Sequence, residues 1–315
     1  MFETVDLVVQ IVIAALLAWF GVRASRSQNR LLKWAGAGSA FFLAVVASVT
    51  IVLTGAGLLK LSARTAEIPN LTVAGTTSQI HRGQAIVDGF CGACHSRTGT
   101  LTGGMDVGKD FSLPLGSFVS SNLTPAGQLA HWSDSEIFRA IRNGVDAKGR
   151  WLIVMSYTNA GKLSDEDIKA IIAYIRSLPA SGQVTPEPPD QLNPLGLIML
   201  GAGMLPSGKP VLSGAIKAPP KSSSPQYGEY ILSYQDCREC HGSKLTGGVQ
   251  GQLAPVGPGL SLVKGWTLED FISTMRTGMD PSGHQLGKEM PWQPIGKMDN
   301  EELAAMYEYL IGLPN

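Results

Sequence analysis

Two stretches decide the reading: residues 91–95 are Cys91-Gly-Ala-Cys94-His95, and residues 237–241 are Cys237-Arg-Glu-Cys240-His241. They use all 4 cysteines of the 315-residue chain, so no thiol is left for a disulfide. A bare C-x-x-C pair serves zinc binding or dithiol redox chemistry, and two pairs could together build a four-cysteine zinc site. A histidine directly after each pair reads instead as covalent attachment of haem c. The cysteines then form thioethers to the macrocycle, and His95 and His241 each supply an axial nitrogen. Two covalently attached haem c groups, with their iron, are the expected cofactors.

Working outward, the surroundings of the two motifs repeat. Leu101-Thr-Gly-Gly104 follows the first and Leu245-Thr-Gly-Gly248 the second. Arg142-x-Gly144-x-Asp146-x-x-Gly149 matches Arg276-x-Gly278-x-Asp280-x-x-Gly283, and 155–179 aligns with 290–314 without a gap. The soluble part therefore reads as a tandem duplication, with domains at 66–180 and 225–315. Each half reads as helical. Ser164-Asp-Glu-Asp167 and Asp299-Asn-Glu-Glu302 are capping starts that place acid at a helix's positive end. Behind them Ile168, Ile171, Ile172 and Ile175, and Leu303, Met306, Tyr307 and Leu310, fall on one apolar face. Little alternates like a strand, so the expected fold class is all-α.

The sixth ligand separates an electron carrier from a catalyst. A methionine thioether closes the iron and raises its potential relative to bis-histidine ligation, whereas an open site admits oxygen or peroxide. Met155 and Met290 occupy the same point in both copies, after a long excursion and nine residues before a helix cap. They are the expected axial ligands; His131 and His284 have no counterparts and are weaker rivals. Each proximal imidazole needs a carbonyl for its other ring nitrogen, and Pro114 and Pro258, at similar distances after the histidines, are candidates. Trp132 and Trp266 are expected to wall the haems.

Before the first repeat, 7–22 is apolar except for Gln10, and 34–59 carries no charge. About 20 apolar residues span a bilayer as a helix, so transmembrane helices are expected at about 5–22 and 34–59, within a membrane anchor of residues 1–65. A cleaved signal peptide would begin with basic residues, whereas this chain begins Met-Phe-Glu-Thr-Val-Asp. Arg23, Arg26, Arg30 and Lys33 lie between the two segments, which places that loop in the cytoplasm and the haem domains on the outer, periplasmic face of a bacterial inner membrane.

Residues 181–224 hold eight prolines and read as a linker; its uncharged stretch 195–205 is too short to span and is expected to pack between the haem domains. Basic and acidic residues balance at 25 each, which excludes a nucleic-acid binder. Residues 225–315, with six basic and eleven acidic side chains, suit docking on a basic partner.

These residues carry a family resemblance. Asn122-Leu-Thr-Pro125, His131-Trp-Ser-Asp134, Arg139-x-x-Arg142-x-Gly144 and Leu163-Ser-Asp-Glu-Asp167 resemble the first haem domain of the cytochrome c subunits of membrane-bound alcohol and gluconate dehydrogenase complexes. Residues 225–315, with Met290-Pro-Trp292, resemble a class I cytochrome c. Members of that dehydrogenase-subunit family generally carry three haem domains and a terminal anchor, whereas the repeat and the apolar segments of this chain give an expected fold of two tandem class I cytochrome c domains preceded by two N-terminal transmembrane helices. The resemblance implies a non-catalytic subunit passing electrons from a respiratory or photosynthetic membrane complex or dehydrogenase to a downstream acceptor. Its expected partners are integral membrane subunits, redox proteins and the lipid bilayer. The dihaem subunit of C-family haem-copper oxidases also resembles the chain in size and N-terminal helices. A dihaem peroxidase is a third reading, opposed by a methionine in both copies.

Overall fold

The computed structural model describes residues 2–96, 99–252 and 254–314. It is mostly helical, with two antiparallel apolar helices, two repeated helical domains and a connecting segment stitched along the first domain. Helices α1 (Phe2–Ser25) and α2 (Ala37–Leu61) pair over their length. The stretches Val5–Ser25 and Leu32–Leu61 are long and apolar enough to cross a membrane. Gln10 and the buried Thr54 hydrogen-bond across the pair at 3.1 Å, the polar contact that helices use where apolar packing brings no hydrophobic gain.

The first repeat comprises α3 (Thr77–Ile86), α4 (Gly92–His95), α5 (Asp134–Asn143), α6 (Ile153–Tyr157) and α7 (Asp165–Ser177). Between α4 and α5, β1 (Gly116–Phe118) pairs antiparallel with β2 (Asp190–Leu192) from the connecting segment, a small sheet inside an otherwise helical fold. The connecting segment continues as α8 (Pro194–Gly201). The second repeat is α9 (Pro225–Tyr234), α10 (Cys237–His241), α11 (Leu268–Thr277), α12 (Trp292–Ile295) and α13 (Asn300–Ile311).

In both repeats the helix before the cysteines crosses the last helix at a glycine. A Cβ on Gly83 would overlap the carbonyl of Ala170, and one on Gly228 that of Ala305. The capping boxes of α5 (Ser133 with Glu136) and α11 (Thr267 with Asp270) satisfy orphan donors at the helix start. Gly144 and Gly278 end those helices at φ 61° and 73°, a left-handed backbone that disfavours a side chain.

The linker 181–224 is stitched to the first domain: Asn143 exchanges hydrogen bonds with Leu212 in both directions, and Asp165 does so with Ile216. One expectation for this segment needs correction: 195–205 does not pack between the haem domains. Helix α8 lies on α2, where Gly57 and Gly201 let the backbones touch; a Cβ on either would overlap the carbonyl of Leu197 or Leu53. Lys60 donates from Nζ to the carbonyls of Leu200 (2.9 Å) and Gly201 (3.1 Å), capping the negative end of α8.

Candidate functional site

The first cysteine pair sits where helix α3 runs through a wider turn (Val87–Cys91) into α4. The second pair sits on α10, after α9 breaks at Gln235. The four thiols are unpaired, and among the described residues no three His, Cys, Asp or Glu side chains converge to hold a metal ion. Burial pushes the Cys91 and Cys237 thiols up to about 12, which does not suit a reactive dithiol.

Each histidine is oriented by the backbone. Nδ1 of His95 donates to the Ser121 carbonyl at 2.8 Å, and Nδ1 of His241 donates to the Pro258 carbonyl at 2.7 Å. Both bonds leave Nε2 unprotonated and available to a metal. Burial lowers the His95 imidazole below its ordinary value and keeps it neutral, as a ligand must be. Loops of matching design hold the rings. Gly103 and Gly247 donate to the carbonyls of His95 and His241, at 2.9 Å each. Buried Leu101 and Leu245 adopt left-handed φ of 55° and 61° and accept from Leu123 and Leu260. A non-glycine residue in that region is uncommon and strained, and here it recurs at the same point in both copies.

Pro114 is not at His95. Its carbonyl accepts from Asn193 at 2.6 Å, and Ser121 takes the place beside the imidazole. The first repeat carries an insert with β1 between its histidine and this carbonyl, so counting residues from the histidine stops short, on the wrong loop. The match appears only in the folded backbone, where the bonds Leu123–Leu101 and Leu260–Leu245 set Ser121 opposite Pro258. Asn122, fully buried, donates to the carbonyls of Ser181 and Gln183 and pins the connecting segment over this loop.

Met155 lies on α6 and Met290 just before α12, both half-buried against the core that runs through the two repeats. Ser156, where the second repeat has Pro291, accepts from the Trp151 indole at 2.7 Å and donates to the Ile153 carbonyl. Ile153 in turn donates its amide to buried Asp190 at 2.5 Å. Short α6 is thus held from the connecting segment, a support that sequence reasoning missed. Trp132 is buried in the core, and Trp266 is half-buried with its carbonyl held by the Tyr307 hydroxyl at 2.9 Å.

Covalent haem c fits these residues: the thiols are unpaired, Nε2 is free, and glycine backbone closes on the ring. A Cβ on Gly257 would stand 2.8 Å from the His241 ring.

The comparisons agree with that chemistry. Residues 78–175 match the family described as cytochrome c oxidase, cbb3-type, subunit III, and residues 226–314 match the family described as cytochrome c. The chain is a haem-binding electron-transport protein with two cytochrome c domains. Among curated proteins it is 34% identical over 90 residues to the fructose dehydrogenase cytochrome subunit of Gluconobacter japonicus, covering 27% of this chain and 18% of that one. It is 25% identical over 201 residues to the cytochrome c subunit of the quinone alcohol dehydrogenase of Gluconobacter oxydans, covering 60% and 40%. It is 35% identical over 91 residues to the cytochrome c subunit of the gluconate 2-dehydrogenase of Pantoea cypripedii, covering 27% and 20%. The chain therefore spans under half the length of these relatives.

Proposed function

We propose that this protein is a membrane-anchored dihaem electron carrier and serves as the cytochrome subunit of a dehydrogenase complex. Residues 1–65 form the anchor, 66–180 and 225–315 the two haem domains, and 181–224 the connection. In each domain haem c supplies a one-electron Fe(III)/Fe(II) couple. Cys91 and Cys94 would tether the first group, with His95 and Met155 holding its iron. Cys237 and Cys240 would tether the second, with His241 and Met290 holding its iron. Ser121 and Pro258 orient the two imidazoles, and methionine sulfur on each iron would keep it closed to oxygen and peroxide. The basic loop Arg23–Lys33 lies in the cytoplasm, which puts both haem domains on the periplasmic face of a bacterial inner membrane.

One observation carries the transfer between haems: the two attachment segments meet. Phe90, next to Cys91, packs edge-on against Tyr234 with ring centroids 5.9 Å apart. Asp236, next to Cys237, accepts from the amide and side chain of Asn159 in the first domain, at 2.8 Å each. The cysteine-bearing segments thus meet through a few packed side chains, which would give an electron a short path between two bound groups. The test replaces Met155 and Met290 separately with alanine and records the ferric spectrum and midpoint potentials. Each change should abolish the long-wavelength methionine–iron band of one haem and lower one potential; two unchanged spectra would end the carrier reading.

A second reading, the dihaem subunit of a haem-copper oxidase, is favoured by the family matched over residues 78–175. Gentle solubilisation separates the two: a dehydrogenase co-purifies under the first, a haem-copper subunit under the second.

A further inference from the structure

The contact between α8 and the membrane pair leaves an apolar surface that the electron-transfer reading does not use. From Gln191 to Gly208 the connecting segment carries no charged residue, and neither does the loop from Phe111 to Gly116. The two are joined: Asn193 donates to the carbonyl of Pro114 and its amide to that of Leu115, while Gly196 packs on the Leu115 carbonyl. Within these two joined segments Phe111, Leu113, Leu195 and Met204 are 42%, 46%, 43% and 67% exposed. Several large exposed apolar side chains on joined uncharged segments suit a contact surface better than a solvated one.

The height of this surface follows from the helices beneath it. Leu32–Leu61 is 30 residues, about 45 Å of helix against a hydrocarbon core of about 30 Å. With Lys33 at the inner boundary, about 20 residues carry the helix across the core to the neighbourhood of Leu53. Helix α8 covers α2 from Leu53 to Lys60. The pairing of Gln10 with Thr54 sets α1 in register and places Asp6 above that level, at the same boundary. The uncharged surface therefore lies where acyl chains give way to headgroups.

We propose that residues 191–208 and 111–116 form a foot that rests in the outer lipid leaflet and seats the first haem domain on the bilayer. Leu113, Leu195 and Met204 enter the acyl–headgroup boundary, as the apolar face of an interfacial helix does, and Lys60 caps α8 at phosphate height. The occupant is lipid because α8 packs directly on α2, whose apolar Val52 and Leu59 stay exposed beside that contact in sequence, at the height where the bilayer's acyl chains end. This rests on the membrane reading of α1 and α2.

The test uses the full holoprotein, in which thioethers consume every native cysteine, so an introduced one is unique. Leu113→Cys, Leu195→Cys and Met204→Cys each take a nitroxide label, as do Val46→Cys on α2 and Met279→Cys in the second domain. The reduced protein is reconstituted in phosphatidylcholine–phosphatidylglycerol vesicles. Collision with oxygen is then compared with collision with a water-soluble nickel chelate. The foot predicts an oxygen preference several-fold above that of position 279 at all three sites, at shallower depth than position 46. Values matching position 279, with position 46 in lipid, overturn the foot alone. Exclusion of both collision agents at the three sites overturns it in favour of a protein partner. A water-like position 46 removes the membrane reading and the foot with it.

Discussion

Gln235 donates from its side-chain amide to the carbonyl of Gly89 at 3.2 Å, in a buried bond that ties the turn before Cys237 to the turn before Cys91. Met298 packs on the same glycine. The two copies of the repeat are therefore joined at the segments that carry their cysteines, rather than through a remote surface.

Gln235→Ala removes the buried side-chain bond to the Gly89 carbonyl, a loss of about 1 kcal/mol. Denaturant titration should show that loss. Pulse-radiolysis kinetics should show slower exchange between the haems, with both potentials unchanged.

Arg82 forms a second tie. It binds Asp167 of its own domain at 2.7 Å and Glu302 of the other at 2.5 Å, and Tyr230 donates its hydroxyl to the same Asp167. Glu302 is almost wholly buried. Arg82→Ala strands two acids in the interface, and a charge left unpaired in this way costs about 3–5 kcal/mol. The double variant Arg82→Ala with Glu302→Gln should recover part of it, read as the midpoint of chemical unfolding in detergent.

Gly257→Ala is expected to act on one haem only. The added methyl would press on the His241 imidazole and weaken its bond to Pro258, with an overpacking cost of about 1–3 kcal/mol. Spectra and potential of the second haem should shift while those of the first hold.

Asp190 makes the first domain sensitive to pH. Burial raises its carboxyl to about 7, against the opposing pull of the Ile153 amide and Arg150, with Asp146 adding to the rise. Its unfolded value lies near 3.9, so the native state holds the proton more tightly. Stability is then fullest below about pH 4 and declines as pH rises toward 7, by on the order of 4 kcal/mol for complete ionisation. Melting curves between about pH 4 and 7, the span separating the unfolded from the native value, should show the fall, and Asp190→Asn should flatten it.

The haem motifs, the duplication, the capped helices and the apolar N-terminal pair were legible because each is written in local spacing: C-x-x-C-H, a gapless match, Ser or Asp followed by acids, an uncharged run. Ser121 was not legible because the group at His95 is a backbone carbonyl, which every residue has; only the distance between loops selects it, and the insert around β1 changed that distance. The seat of α8 was hidden for a different reason. An uncharged helix suits any apolar surface, and what chooses α2 is the pair Gly57 and Gly201, two small residues far apart in sequence whose meeting no periodicity announces. Arg82 reaching Glu302, across 220 positions, belongs to the same class.

The junction between α2 and the first domain has one more consequence. The Leu61 carbonyl accepts from the Trp151 amide at 2.8 Å, and Arg64 donates to the carbonyls of Asn143 (2.6 Å) and Lys209 (2.8 Å). The chain thus emerges from its last apolar helix already clamped, with no leash on which the haem domains could swing. Such a carrier is a fixed terminal rather than a shuttle. Under the dehydrogenase-subunit reading its donor is held beside it, so the acceptor must travel to it, and its turnover with a mobile acceptor should follow that acceptor's diffusion.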